Sequence, residues 1–276
     1  MLRVLPDESH LLIDAQPNEL DMVDGAAHRA DHVPVYRGYN YVAPDTVGPD
    51  ALYEVEREDQ ILLLRSLFMT SFLVDDFLAD ENFYGVATAV VTSASSKTST
   101  ALAHLLKVRA QGNVIGLTSG RNREFVKGLG CYDDVVLYDE LDAMPDLVWS
   151  EGAVMIDMAG NGEVIGGIRE RLRENLKYSC TAGATHWEAE PRARELPGPR
   201  PEFFFAPGRI AKRTQDWGAG GLQERIGASW KEFTAFSDVW MKIQRHVGPE
   251  ALERVCREVL GGALDPSDGH IISLWA

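Results

Sequence analysis

The sequence predicts an α/β fold whose parallel, doubly wound sheet occupies roughly Gly85 to Gly183. Three observations predict it. Short β-branched apolar runs alternate with segments whose apolar residues recur every three or four positions. The alternation repeats at the spacing of strand–helix–strand units. Glycines follow several of the helical segments, where a helix commonly stops.

The first 60 residues are rich in Pro, Asp and Gly, with only short apolar runs such as Leu11 to Ile13, and read as loops with a few strands. From Asp59 to Leu78, Ile61, Leu64, Leu67, Phe68, Phe72, Leu73 and Phe77 recur at helical spacing. Thr88 to Thr92 is a strand, followed by a helix from Thr98 to Ala110 with Gly112 as its stop. Val114 to Thr118, Asp134 to Tyr138, Ala153 to Asp157 and Leu176 to Cys180 are further strands, with helices at Arg121 to Leu129 and Glu163 to Asn175. Residues 185 to 221, rich in Pro, Arg and Gly, read as an extended excursion. Leu222, Ile226, Trp230, Phe233, Phe236, Trp240, Ile243 and Val247 then advance by three or four, a stripe expected to bury itself against the sheet. Gly248-Pro249 opens another helix, Gly261 closes it, and His270 to Trp275 is a final strand. The expected division is an irregular segment, 1–60, and a sheet domain with C-terminal helices, 61–276.

Composition narrows the function. With 45% hydrophobic and 25% charged residues, the chain fits a soluble globular protein. No apolar run approaches the roughly 18 residues of a membrane span. Asp7, Glu8, Asp14 and Glu19 occupy the place of a secretory signal's basic start and apolar stretch, so a cytoplasmic location and no membrane partner are expected. A net charge of −15 opposes nucleic-acid binding, which needs cations to displace counterions from phosphate. Residues 1 to 60 hold 13 acidic side chains against 4 Lys or Arg, whereas Arg192, Arg194, Arg200, Arg209, Lys212 and Arg213 form a basic stretch. That stretch is either a solvated face or a lip for an anionic cofactor. Cys131, Cys180 and Cys256 are far apart with no Cys/His cluster, so neither a disulfide framework nor a metal site is expected. They read as small buried hydrophobes.

The chemistry lies in two turns. Thr92-Ser93-Ala94-Ser95-Ser96-Lys97-Thr98-Ser99 joins a strand to a helix, and the unpaired N–H groups of a helix start attract anions. Glycine is usual there because backbone must approach the pyrophosphate closely, whereas serine adds a hydroxyl donor at steric cost. A plain helix cap is the alternative. After the second strand the chain reads Thr118-Ser119-Gly120-Arg121-Asn122-Arg123. An NAD site usually places a carboxylate there for the ribose 2′-hydroxyl; two hydroxyls, two guanidiniums and no acid favour the 2′-phosphate of NADP(H). The alternative is a polar turn capping a short helix.

The series Val90 to Thr98, Val114 to Ser119 and Phe125 to Val136 resembles the cofactor domain of medium-chain dehydrogenase/reductases, closest to the zinc-free, quinone-oxidoreductase-like branch. Asp24-Gly25-Ala26-Ala27-His28-Arg29, Thr70 to Leu78, Ser93 to Thr98 and Glu202 to Pro207 resemble an uncharacterised domain-of-unknown-function family related to it. The resemblance implies a Rossmann-like sheet preceded by the end of a GroES-like substrate domain. It places Ser95, Ser96, Lys97 and Thr98 at the pyrophosphate, with Ser93 opening the turn, and Thr118, Ser119 and Arg121 at the 2′-phosphate. Tyr138 falls near the adenosine half, and Ala159, Gly160 and Asn161 near the nicotinamide ribose, where Gly160 and Gly162 suit close approach or simply a tight turn. The superfamily turn is Ala-x-x-Gly-x-x-Gly; here Ser93, Ser96 and Ser99 stand at those three places.

In that class the cofactor carries the hydride, and the protein supplies a donor to the substrate oxygen and a proton. Tyr41, Thr70 and His186 are the candidates in the substrate cleft, against packing, helix-face and structural roles respectively; no catalytic residue is assigned. Three readings stand. The first is an NADP(H)-dependent oxidoreductase reducing a small carbonyl, enone or quinone. The second is a non-catalytic NADP(H)-binding sensor or remnant. The third is a P-loop-like nucleotide-binding protein using Lys97 and Asp157, against which both P-loop glycines are missing. A homodimer through an edge strand near Phe203 to Phe205 is a further implication of the resemblance.

Overall fold

The computed structural model describes residues 13–17, 21–32, 36–40, 52–110, 112–182 and 197–274. Tyr41, His186, Arg192 and Arg194 lie outside these residues. In chain order the elements are β1 (Ala15–Pro17), β2 (Asp21–Asp24), β3 (Gly38–Asn40), α1 (Glu58–Asp80), β4 (Thr88–Val91) and α2 (Lys97–Arg109). They continue with β5 (Asn113–Thr118), α3 (Arg123–Gly128), β6 (Asp134–Leu137), α4 (Asp146–Glu151), β7 (Ala153–Asp157) and α5 (Gly162–Leu172). The last are β8 (Leu176–Thr181), β9 (Glu202–Phe203), α6 (Ala206–Trp240), β10 (Lys242–Val247), α7 (Pro249–Leu260) and β11 (Asp268–Ser273). Two compact units contain them: residues 67–206 with 265–267, and residues 1–66 with 207–264 and 268–276. α6 and α7 fall in the same unit as the described residues before Ser66.

The first of these units holds a six-stranded sheet in the order β6-β5-β4-β7-β8-β9, parallel at every pairing. This is the doubly wound, Rossmann-like order. β4 and β7 are buried at every residue, as expected for strands covered on both faces. Val90, Ile115, Leu117, Met155 and Ile168 belong to a core cluster completed by Leu141, Met144 and Val148. Leu141 comes from a 3-10 turn, Leu141–Ala143, Met144 from its C-cap and Val148 from α4, in a stretch where the sequence predicts no element. Gly112 ends the loop after α2 at φ +100°, and a Cβ there would lie 1.7 Å from the Ala87 carbonyl oxygen, which accepts the Asn113 N–H at 2.8 Å.

Residues 185 to 221 are not one excursion. Glu202–Phe203 adds the sixth strand to the sheet, and α6 begins at Ala206, with Pro207 suited to a first helical turn. Three glycines at 218, 220 and 221 disguise this helix in the sequence; only Gly218, at φ +74°, breaks it.

In the second unit, β1, β2 and β3 form an antiparallel sheet. The Asp24 carboxylate accepts the Ala26 N–H at 3.0 Å and an Arg29 N–H at 2.9 Å, while Arg29 also donates to the Tyr39 hydroxyl at 3.3 Å. The Asp24-to-Arg29 motif is thus a local structural knot. Leu222, Ile226, Trp230 and Phe233 are buried on α6 as the periodicity requires. Ile243 and Val247 are not part of that stripe. They lie in β10, which pairs in parallel with β11, so a distant partner for the backbone overrides a helical spacing. The basic stretch is not a fully solvated face: Arg209 and Arg213 are buried, and Arg213 donates to Asp216 at 2.8 Å and covers Trp217. No helix among the described residues is long and apolar enough to cross a membrane.

Two outcomes follow from these packings. Gly112→Ala combines a strained φ with a backbone collision and lowers stability by about 3 kcal/mol, seen as a reduced urea midpoint. Burial pushes the Cys131 and Cys180 thiols up to about 12, whereas Cys256, expected to be buried, is exposed on α7. A thiol reagent at mildly alkaline pH therefore labels Cys256 alone in the native chain and the other two only in denaturant; Cys256→Ser abolishes the fast reaction.

Candidate functional site

In a doubly wound sheet the order reverses between the first and fourth strands, here β4 and β7, and opens a crevice at their carboxyl ends. The turn from Thr92 to Ser96 leaves β4 on one side of that crevice. The loop from Met158 to Asn161 leaves β7 on the other.

The serines of the first turn fold it by bonding to one another. Ser93 adopts φ +50°, a conformation that costs a non-glycine residue roughly 1–2 kcal/mol. Its N–H donates to the Tyr138 hydroxyl at 3.0 Å, and its carbonyl accepts the Ser96 N–H at 2.7 Å. Ser96 is the N-cap of α2, its oxygen accepting the Ser99 N–H at 3.1 Å. The Ser96 hydroxyl donates to Ser99 Oγ at 2.9 Å, and the fully buried Ser99 hydroxyl donates to the Thr92 carbonyl at 2.8 Å. Where glycine would let helix and strand pack closely, Ser99 fills the gap and satisfies a carbonyl.

Neighbouring strands hold the turn. The Ala94 N–H donates to the Leu117 carbonyl at 2.9 Å, and the Ala94 carbonyl accepts the buried Tyr132 hydroxyl at 2.9 Å. A Cβ on Gly116 of β5 would come within 2.9 Å of the Ala94 Cβ, so a glycine is required beside the turn even though none remains inside it. The Ser71 hydroxyl of α1 reaches the Thr98 carbonyl at 2.8 Å. Lys97 donates to the Pro266 carbonyl at 3.3 Å.

The second turn meets the first through Asn122, whose amide donates to Ser95 Oγ at 2.9 Å. Ser119 caps a 3-10 turn, Gly120–Asn122, on which Arg121 is exposed; the Thr118 side chain just before it is buried. Burial raises the Tyr138 phenol above the usual tyrosine range against the hydrogen bond from Ser93, and the Asp157 charge adds to the rise. Across the crevice, Gly160 takes φ +73°, and Asn161 caps α5 by accepting the N–H groups of Glu163 at 3.0 Å and Val164 at 3.3 Å.

Asp157, which the sequence brings in only for the P-loop-like reading, is not among the residues expected at the dinucleotide site. Its buried carboxylate accepts the Thr92 hydroxyl at 2.6 Å, the Ala159 N–H at 3.3 Å and the Gly160 N–H at 2.8 Å. Its one sequence signal is an acid closing an otherwise apolar strand. Such a carboxylate, turned inward to three protein donors, is unlike the magnesium-serving Asp of a P-loop protein. Thr70 lies half-buried on α1. Among the described residues no group of three His, Cys, Asp or Glu is placed to hold a metal ion.

Sheet order, switch-point crevice and the small-residue turn at its mouth define a Rossmann-like α/β protein. The chain belongs to the family described as "Protein of unknown function (DUF2855)", which matches residues 4–265. No curated protein matches it. Among solved structures it is similar to CurA from Vibrio vulnificus in complex with NADPH, at 15% identity over 86% of this chain and 68% of that one, with a TM-score of 0.55. A putative NADPH:quinone reductase from Mesorhizobium loti is similar at 14% identity over 92% of this chain and 70% of that one, with a TM-score of 0.58. The Rossmann-like sheet is therefore the one that the resemblance to the quinone-oxidoreductase-like branch implied.

Because Ser99 donates from a buried position to a strand-end carbonyl, Ser99→Ala leaves that carbonyl short of a partner. It lowers unfolding free energy by about 1 kcal/mol in a urea titration without changing the slope.

Proposed function

We propose that this chain binds NADP(H) across the switch-point crevice and acts as a reductase of a small carbonyl, enone or quinone. The observation that carries the reading is the acid-free turn Ser119 to Arg123 hydrogen-bonded, through Asn122 and Ser95, to the turn that opens α2. The donor set fits a dinucleotide. The start of α2 offers N–H groups and the side chains of Ser95, Ser96, Lys97 and Thr98 to a pyrophosphate. Ser119 and the exposed Arg121 offer a hydroxyl and a guanidinium to a 2′-phosphate, with Thr118 packed behind them. Tyr138 borders the adenosine half, and Ala159, Gly160 and Asn161 the nicotinamide ribose, where the absent side chain of Gly160 allows close approach. Two proteins of similar fold are described by NADPH, one in complex with it and one as a putative NADPH:quinone reductase.

The cofactor supplies the hydride; the chain's task is to orient it and offer the substrate oxygen a proton. Tyr41, Thr70 and His186 are our candidates for that donor. We read residues 1–60 as the end of a GroES-like substrate domain. We also read the outer edge of β9, beside the exposed Phe203 and Phe205, as the pairing edge for a second copy.

A second reading, a binder that does not turn over, is favoured by one detail: the Ser96 hydroxyl already occupies the Ser99 N–H, a donor that glycine would leave for phosphate. Fluorescence titration is expected to give NADPH at least ~10-fold tighter binding than NADH, and Arg121→Ala to remove that preference by weakening NADPH alone. Failure to bind either cofactor overturns both readings. Oxidation of NADPH in a screen of quinones, enones and aldehydes supports the reductase, and binding without oxidation supports the second reading.

A further inference from the structure

We infer that Asp157 is a positioning residue which locks the two sides of the crevice into one geometry, so that a ligand spanning both depends on it more than a ligand held by one. The inference rests on the proposed dinucleotide site. Thr92 is the last residue before the phosphate turn, and Met158 to Asn161 form the loop facing it. The Thr92 hydroxyl donates to Asp157 Oδ1 at 2.6 Å and accepts the Met158 N–H at 3.0 Å. The same carboxylate accepts the N–H groups of Ala159 at 3.3 Å and Gly160 at 2.8 Å, which directs the loop backbone as it leaves β7. The Thr92 carbonyl accepts the Ser99 hydroxyl at 2.8 Å, and Ser99 bonds to the capping Ser96. Gly160, Asp157, Thr92, Ser99 and Ser96 thus form one continuous hydrogen-bonded chain across the crevice. Asp157 is 1% exposed and Thr92 1%, so neither is placed to touch a ligand, and their influence passes through the turn and the loop.

Only an acceptor at both oxygens satisfies three donors, and an amide cannot supply that. In Asp157→Asn the new NH2 faces either the Gly160 N–H, or the Ala159 N–H together with a Thr92 hydroxyl that must turn its proton elsewhere. Thr92→Val removes the cross-strand hydroxyl, whereas Thr92→Ser keeps it.

The test is to titrate the native chain and these three variants with NADPH and with 2′,5′-ADP, which lacks the nicotinamide half, while monitoring thermal midpoints. Asp157→Asn and Thr92→Val are expected to weaken NADPH by ~10-fold or more, about 1.4 kcal/mol, and 2′,5′-ADP by less than ~3-fold, with Thr92→Ser like the native chain. Equal loss for both ligands, or none for NADPH, overturns the inference while leaving the cofactor reading intact. Absence of NADPH binding by the native chain overturns the cofactor reading and the inference with it. Should Asp157→Asn fail to fold, the Thr92 pair decides by the same ratio.

Discussion

A carboxylate removed from water survives in a protein only where donors surround it, since an unpartnered buried charge costs several kcal/mol. Asp157 meets that condition at the point where the sheet reverses its order, with one hydroxyl from β4's exit and two N–H groups from its own loop. Two strands that are neighbours only through tertiary structure are thereby joined at their carboxyl ends, by side chains as well as by the ladder between Ala89–Val91 and Val154–Ile156. The turn after β4 and the loop after β7 both leave the sheet at that junction.

Around it the chain replaces glycine's freedom with hydroxyl bonds. A glycine at the third turn position allows close packing by absence; Ser99 instead inserts an oxygen and donates it to the strand end. At the first position, where the superfamily turn carries alanine, Ser93 reaches φ +50° with its N–H held by Tyr138. The space that glycine would have released inside the turn is found next door, at Gly116, where any Cβ meets Ala94 and Tyr132. The turn is thus preorganised by contacts from β5, β6 and β7, and its small side chains act as a set.

Much of the nucleotide-type unit was legible in the sequence because its signals are local. Strands covered on both faces appear as apolar runs, and helix ends carry Gly112 and Gly130 at positive φ, so the elements from Thr88 to Cys180 fall within a few residues of their expected places. What escaped was weakly periodic or dependent on partners. α4 is six residues long, and β9 is two residues that exist only because β8 offers them a ladder. Ile243 and Val247 have helical spacing but lie in a strand because residues 268–273 pair with them. Among the described residues, those up to Ser66 and residues 207–264 fall in one compact unit, a grouping that no local pattern encodes.

For the site, the side chains that line its turns are visible in sequence because their chemistry is printed in short stretches: small hydroxyl residues before a helix, and guanidiniums without an acid after the second strand. Sequence alone therefore determined the class of fold and the chemical character of the two turns, since both follow from neighbouring residues and backbone sterics. Only the tertiary structure decided that Thr92, Ser99, Tyr132, Tyr138 and Asp157 hold those turns in place. Their hydrogen bonds join residues as many as 66 positions apart, and a bond of that kind forms only when the sheet has brought its ends together.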